Sequence, residues 1–136
     1  MYVLVIGATP EGASLIDILI ERGHQVALIE ANEERARQVL KQHDVDVFQA
    51  SISDGNVLDE ARAGAADVIV AATEDDSANL MAMFLGKEYG IEALISVINE
   101  PKHQPMFERL GVIVLANPAS IIARQLYRLI EKSEED

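Results

Sequence analysis

A short apolar run, Tyr2-Val3-Leu4-Val5-Ile6, ends at the turn Gly7-Ala8-Thr9-Pro10-Glu11-Gly12, and no other feature limits the possible folds so strongly. Apolar residues without polar alternation, closed by glycine, describe a strand buried on both faces. Pro10 suits the first turn of a helix, where the amide it lacks would be unpaired anyway. The stripe Leu15, Ile16, Leu19 and Ile20 continues that helix to Gly23. Gln25-Val26-Ala27-Leu28-Ile29 then reads as a second strand closed by Glu30. The glycine turn therefore sits at the first corner of a βαβ unit, the context in which it carries meaning.

The alternation continues to the end of the chain. Asn32 is placed to cap a second helix carrying Ala36, Val39 and Leu40, and Val45 to Phe48 gives a third strand. Asp54 is placed to cap a short helix with Val57, Leu58 and Ala61. Asp67 to Ala72 is a fourth strand, followed by a helix from about Ser77 to Tyr89. Ala93 to Ile98 is a fifth strand, Pro101 to Leu110 a short helix, and Val112 to Leu115 a sixth strand. Pro118 opens a last helix through Ile130, and the acidic residues from Glu131 are expected to fray. Residues 1–132 thus form one Rossmann-like domain, with 133–136 an acidic tail. The pattern predicts a doubly wound α/β fold: a mainly parallel six-stranded sheet, order 3-2-1-4-5-6, with helices on both faces. Its ligand crevice lies above the first and fourth strands.

A hydrophobic content of 49% supports a real core, and a formal charge of −12 argues against nucleic-acid or anionic-membrane partners. Cysteine is absent, which removes disulfide and thiolate chemistry. The opening residues lack the basic segment of a signal peptide. No apolar run approaches the ~20 residues that cross a bilayer, so direct membrane insertion is not expected.

In the turn, Gly7 can make the tight bend and Gly12 can let the helix approach the sheet, with helix-start amides facing a pyrophosphate. Three residues oppose that ligand. Thr9 replaces the middle glycine and should crowd the phosphates, Pro10 removes a donor, and Glu11 adds negative charge. Glu30, at the end of the second strand and 18 residues beyond Gly12, is placed to accept hydrogen bonds from a ribose, favouring NAD or an adenosine nucleotide over NADP. It equally suits a role flanking the next helix. A domain that keeps the fold and has lost the ligand remains the alternative.

Taken together, these segments resemble the TrkA-N domain, the nucleotide-binding part of the RCK/KTN regulators of potassium channels and transporters. The shared features are Arg22-Gly23-His24, Glu30, Leu58 with Ala61, Asp67, and Thr73-Glu74-Asp75-Asp76-Ser77-Ala78-Asn79-Leu80. Val97-Ile98-Asn99-Glu100-Pro101 and Phe107 with Leu110-Gly111 follow the same pattern. Thr9, Pro10 and Ala50-Ser51 depart from it, the last replacing a Gly-Asp, although Ser53-Asp54 is kept. The resemblance implies a cytoplasmic, non-catalytic regulatory subunit that forms a homodimer or larger ring. Nucleotide occupancy would change the ring geometry to gate a membrane-embedded potassium transporter or channel, holding the protein at the inner membrane through that partner. The implied cofactor is an adenine nucleotide, NAD/NADH or ATP/ADP, contacted by Gly7, Ala8, Thr9, Pro10, Glu11, Gly12, Glu30, Ser51, Ile52, Ala72, Thr73 and Asn79.

Other chemistry finds little support. His24, His43 and His103 are scattered, without metal-ligand spacing. His24 is expected to close a helix-to-strand turn and His103 to be an exposed first-turn residue. Glu74-Asp75-Asp76 suits helix capping better than a magnesium site. The serines lack a nucleophile elbow, and no tyrosine has a lysine four residues later. A dehydrogenase would also need a substrate-binding region, and only one helix follows the sixth strand. On that helix, Ile121, Ile122, Leu126, Leu129 and Ile130 form a broad apolar surface bordered by Tyr127. One side should cover the sheet and the excess pack on a partner subunit. Leu80, Met81, Met83, Phe84 and Leu85 similarly surround an earlier helix.

Overall fold

The computed structural model describes residues 1–135. The first βαβ unit comprises β1 (Tyr2–Ile6), α1 (Pro10–Glu21) and β2 (Gln25–Glu30), followed by α2 (Glu33–Gln42) and β3 (Asp46–Gln49). After the short α3 (Val57–Glu60) and a 3-10 turn (Ala63–Ala65) come β4 (Val68–Ala71), α4 (Asp76–Glu88) and β5 (Ala93–Ile98). A second 3-10 turn (Pro101–His103) leads into α5 (Gln104–Arg109), β6 (Ile113–Ala116) and α6 (Pro118–Glu134). All neighbouring strands are parallel, and the sheet order is β3-β2-β1-β4-β5-β6, as the alternation predicts.

The central strands are apolar throughout because helices cover both faces. Leu4 and Ile6 of β1 face one core with Ala27, Ile69, Met83 and Phe107. Val3 and Val5 face another with Ile16, Val26, Leu28 and Val39. This is the period-2 alternation of a strand sorting its side chains between two layers. Asn32 caps α2 as expected, its Oδ1 accepting from Arg35 N at 2.9 Å. Asp54 does not cap α3: Asn56 holds that position, without a side-chain cap, and the Asp54 amide instead closes a turn onto Ser51 O.

The largest difference from expectation concerns α6. It runs on to Glu134 rather than fraying from Glu131, with Lys132 in its last turn complementing the helix dipole; Asp136 lies outside the described residues. None of its residues is buried, so it does not cover the sheet. The consequence is visible along one row of the register, Leu28, Val5, Val70, Ile95 and Ile113. Leu28 and Val5 are fully buried, Val70 and Ile95 half-buried, and Ile113 is 66% exposed. Leu115, two residues on, is 51% exposed. One face of the β5–β6 edge is therefore open and apolar.

Candidate functional site

The strand order reverses between β1 and β4, and the turns leaving these strands diverge there into a crevice. Two cavities occupy it. The smaller, about 300 Å³, lies over β1, β2 and β3 and is bounded by Gly7, Glu30, Ser51 and Asp75. The larger, about 440 Å³, extends over β4, β5 and β6 and is bounded by Thr9, Glu11, Asn99, Asn117 and Ile122. Thr73 and Glu74 belong to both walls and divide them.

Backbone contact, more than side-chain chemistry, builds the first turn. Gly7 has φ +99°, and a Cβ there would meet Thr73 Cγ2 at 2.8 Å. A Cβ on Gly12 would lie 2.0 Å from Gly7 O, so glycine alone lets α1 start this close to the turn. Thr9 is the N-cap of α1 and is buried. Its hydroxyl accepts from Gly12 N at 3.2 Å and donates to Ala72 O at 2.6 Å. The threonine hydroxyl is thus tied beneath the turn, joining it to β4. Its effect on an anion is to occupy the Gly12 amide, where the sequence suggested steric crowding.

Glu30 is 8% exposed at the end of β2. Its Oε1 accepts from Ala8 N at 2.7 Å and its Oε2 from Asn32 N at 2.9 Å. One carboxylate therefore clips the glycine turn to the start of α2. Each oxygen retains a second lone pair, so a ribose hydroxyl can still be accepted. The helix-flanking role and the ribose role are compatible in one side chain.

The β4–α4 turn is held by Asn79, which is fully buried. Its Oδ1 accepts from Thr73 N at 3.0 Å and Thr73 Oγ1 at 2.7 Å, while Nδ2 donates to Thr73 O and Val97 O. With its polar atoms engaged, Asn79 acts on the crevice through the turn it shapes, not by contact. Asp75 caps α4 by accepting from Ser77 N, and Glu74 pairs with Arg35 at 2.9 Å. Among the described residues no cluster of three or more His, Cys, Asp or Glu can hold a metal ion.

Asp76, Asn99 and His103 form a cluster that the sequence does not bring together. Asp76 Oδ2 accepts from the Glu100 amide at 3.0 Å and lies 2.7 Å from His103 Nδ1. Asp76 Oδ1 accepts from Asn99 N and Asn99 Nδ2, both at 2.9 Å. Burial pushes the Asp76 carboxyl up, but hydrogen bonds from His103 and from the Asn99 and Glu100 amides outweigh it. They hold it at about 2, below the ordinary 3.8. His103 is accordingly half-buried against Asp76 rather than free in solvent. His24 does sit in its turn, with Nδ1 3.2 Å from the chain's amino terminus.

Of the sequence-proposed cofactor residues, Gly7, Glu30, Ser51, Ile52 and Thr73 line the smaller cavity. Thr9, Pro10, Glu11, Ala72 and again Thr73 line the larger. Ala8, Gly12 and Asn79 are buried behind the turns and line neither. Ser51, which replaces an aspartate of the family pattern, hydrogen-bonds the Ser53 hydroxyl at 2.8 Å.

Residues 3–118 match the family model described as the TrkA-N domain. The chain belongs to this family. Over 132 residues it is 35% identical to the Trk system potassium uptake protein TrkA homolog of Methanothermobacter thermautotrophicus, covering 97% of this chain and 61% of the relative. The chain thus spans less than two thirds of that protein. The GsuK channel bound to NAD contains a region 26% identical, with a TM-score of 0.74, covering 84% of this chain and 21% of the channel. The TrkA-N domain of the inner membrane protein ybaL from Escherichia coli, at 13% identity, shares the fold with a TM-score of 0.82 over 94% of this chain and 95% of that one. No helix among the described residues is long and apolar enough to cross a membrane.

Proposed function

We propose that this TrkA-N domain is the nucleotide-sensing part of a potassium-uptake regulator, working on the cytoplasmic side of the membrane as a binding module and not as an enzyme. The observation that carries the reading is the buried Glu30 carboxylate at the crevice, clipped to the glycine turn and with lone pairs to spare. In this reading an adenine nucleotide places its ribose against Glu30 in the smaller cavity. The potassium-uptake naming of the Methanothermobacter relative and the NAD-bound GsuK channel support it. The exposed apolar face of α6 and the open β6 edge pair two copies, and the pair acts on a membrane-embedded potassium transporter or channel. A nucleotide drives such a switch only as far as it prefers one arrangement of the pair over the other.

Calorimetry with ATP, ADP, AMP, NAD and NADH tests the proposal. Saturable binding that weakens at least tenfold in a folded Glu30→Ala variant is expected, roughly the loss of one or two charge-assisted hydrogen bonds. A second reading, an interaction domain without a ligand, is favoured by the Gly12 amide being occupied and by Pro10 lacking one. Absence of binding to every nucleotide would select it.

A further inference from the structure

We infer that the crevice is built for an adenine nucleoside carrying at most one phosphate, so that AMP binds ahead of ADP, ATP and NAD. The inference rests on the nucleotide-sensing reading above and adds the number of phosphates the site can hold. Its first support is the supply of turn amides. Gly7 N donates to Ile29 O, Ala8 N to Glu30, Gly12 N to Thr9 Oγ1 and Ala13 N to Thr9 O. Pro10 has no amide hydrogen. Between Gly7 and Ala13, only the Thr9 and Glu11 amides remain without a partner among the described residues. Two amides at a helix start can meet one phosphate, assisted by a dipole worth roughly half a charge. A second phosphate finds no further donor in this turn.

The charges around the crevice give the second support. Glu11, Glu30, Glu74 and Asp75 line the two cavities, whereas no lysine, arginine or histidine lines either. Arg35 is paired with Glu74 at the rim. Sites that hold polyphosphates place cations where the charge accumulates; here each further phosphate moves toward carboxylates instead. Glu11 is the most exposed to this effect, because it follows Pro10 on the first turn of α1 and faces the larger cavity. Adenosine and its ribose avoid the conflict, since the smaller cavity asks only for a diol opposite Glu30 and an apolar surface at Ile52 and Ala78.

The test is isothermal calorimetry on the folded chain in EDTA at fixed ionic strength, with adenosine, AMP, ADP, ATP and NAD as titrants. AMP is expected to bind most tightly, with NAD weaker for want of a donor to its second phosphate, ADP about tenfold weaker than AMP and ATP weaker still. The gap should narrow at high salt, because the repulsion is screened. Glu11→Gln should bring ADP about threefold closer to AMP. Binding in which ADP, ATP or NAD equals or exceeds AMP overturns the inference and leaves the proposed function standing. An AMP-to-ADP ratio unmoved by both salt and Glu11→Gln overturns it also, since charge would not set the ranking. If no adenine compound binds, the nucleotide reading itself falls and this inference falls with it.

Discussion

On the β2 side of the switch point, α1 and α2 close the face formed by Val3, Val5, Val26 and Leu28. On the β6 side the same face of the sheet ends in Ile113 and Leu115, open to solvent, while α6 departs without burying a residue. Both halves are written in the same apolar residues. The difference teaches that an apolar stripe reports a need for cover without saying whether the cover belongs to the same chain. In the pairing proposed above, the open edge and the α6 face are the surfaces that a second copy would close.

The contrast is broken most directly at its closed end. Leu28→Ala is expected to cost roughly 3 kcal/mol in urea unfolding, through lost burial plus the cavity left behind. A cost under 1 kcal/mol would show that the sealed half is not sealed.

Next in size is Asp76→Asn, which should lower stability by about 2 kcal/mol at neutral pH. The carboxyl titrates at about 2 in the folded chain against an ordinary 3.8. A depressed folded value means the contribution is present above about pH 4 and is lost as the pH falls toward 2. Parent and variant unfolding curves should therefore converge on acidification; curves that stay equally spaced would remove the ion from the explanation.

A smaller effect belongs to the glycine turn. Thr9→Ala deletes the cap of α1 and the link to Ala72 O, at a cost of about 1 kcal/mol. Unchanged thermal unfolding would show that the cap contributes nothing.

Smallest is the open end of the row. Ile113→Ala should change the unfolding free energy by less than about 0.5 kcal/mol when the chain is dilute and monomeric. Ile113→Asp, by contrast, should shift sedimentation toward the monomer at high concentration. Equal losses at Leu28 and Ile113 would dissolve the comparison between the halves.

Much of this was legible in the residues. Unbroken apolar strands such as Tyr2 to Ile6, separated by helical stripes, specify a parallel sheet covered on both faces, and the predicted strand order is the observed one. The glycine turn was legible because Gly7 and Gly12 answer local backbone demands. The Asp76–His103 contact was not, because α4 and β5 separate the partners and only the parallel crossover brings them together. The inward turn of the Thr9 hydroxyl was equally hidden, since the same β-branched residue can crowd a ligand or cap a helix. Nor could the apolar face of α6 reveal that it leaves its own sheet uncovered.

Glu74 carries a consequence beyond the charge it adds. It forms part of the wall of both cavities and is tied by Arg35 to α2. An occupant that shifts this side chain from one cavity alters the boundary seen from the other. If filling the smaller cavity changes affinity in the larger by some factor, filling the larger must change affinity in the smaller by that same factor. With an occupant in each, the shared wall would make the two chambers a pair of linked equilibria.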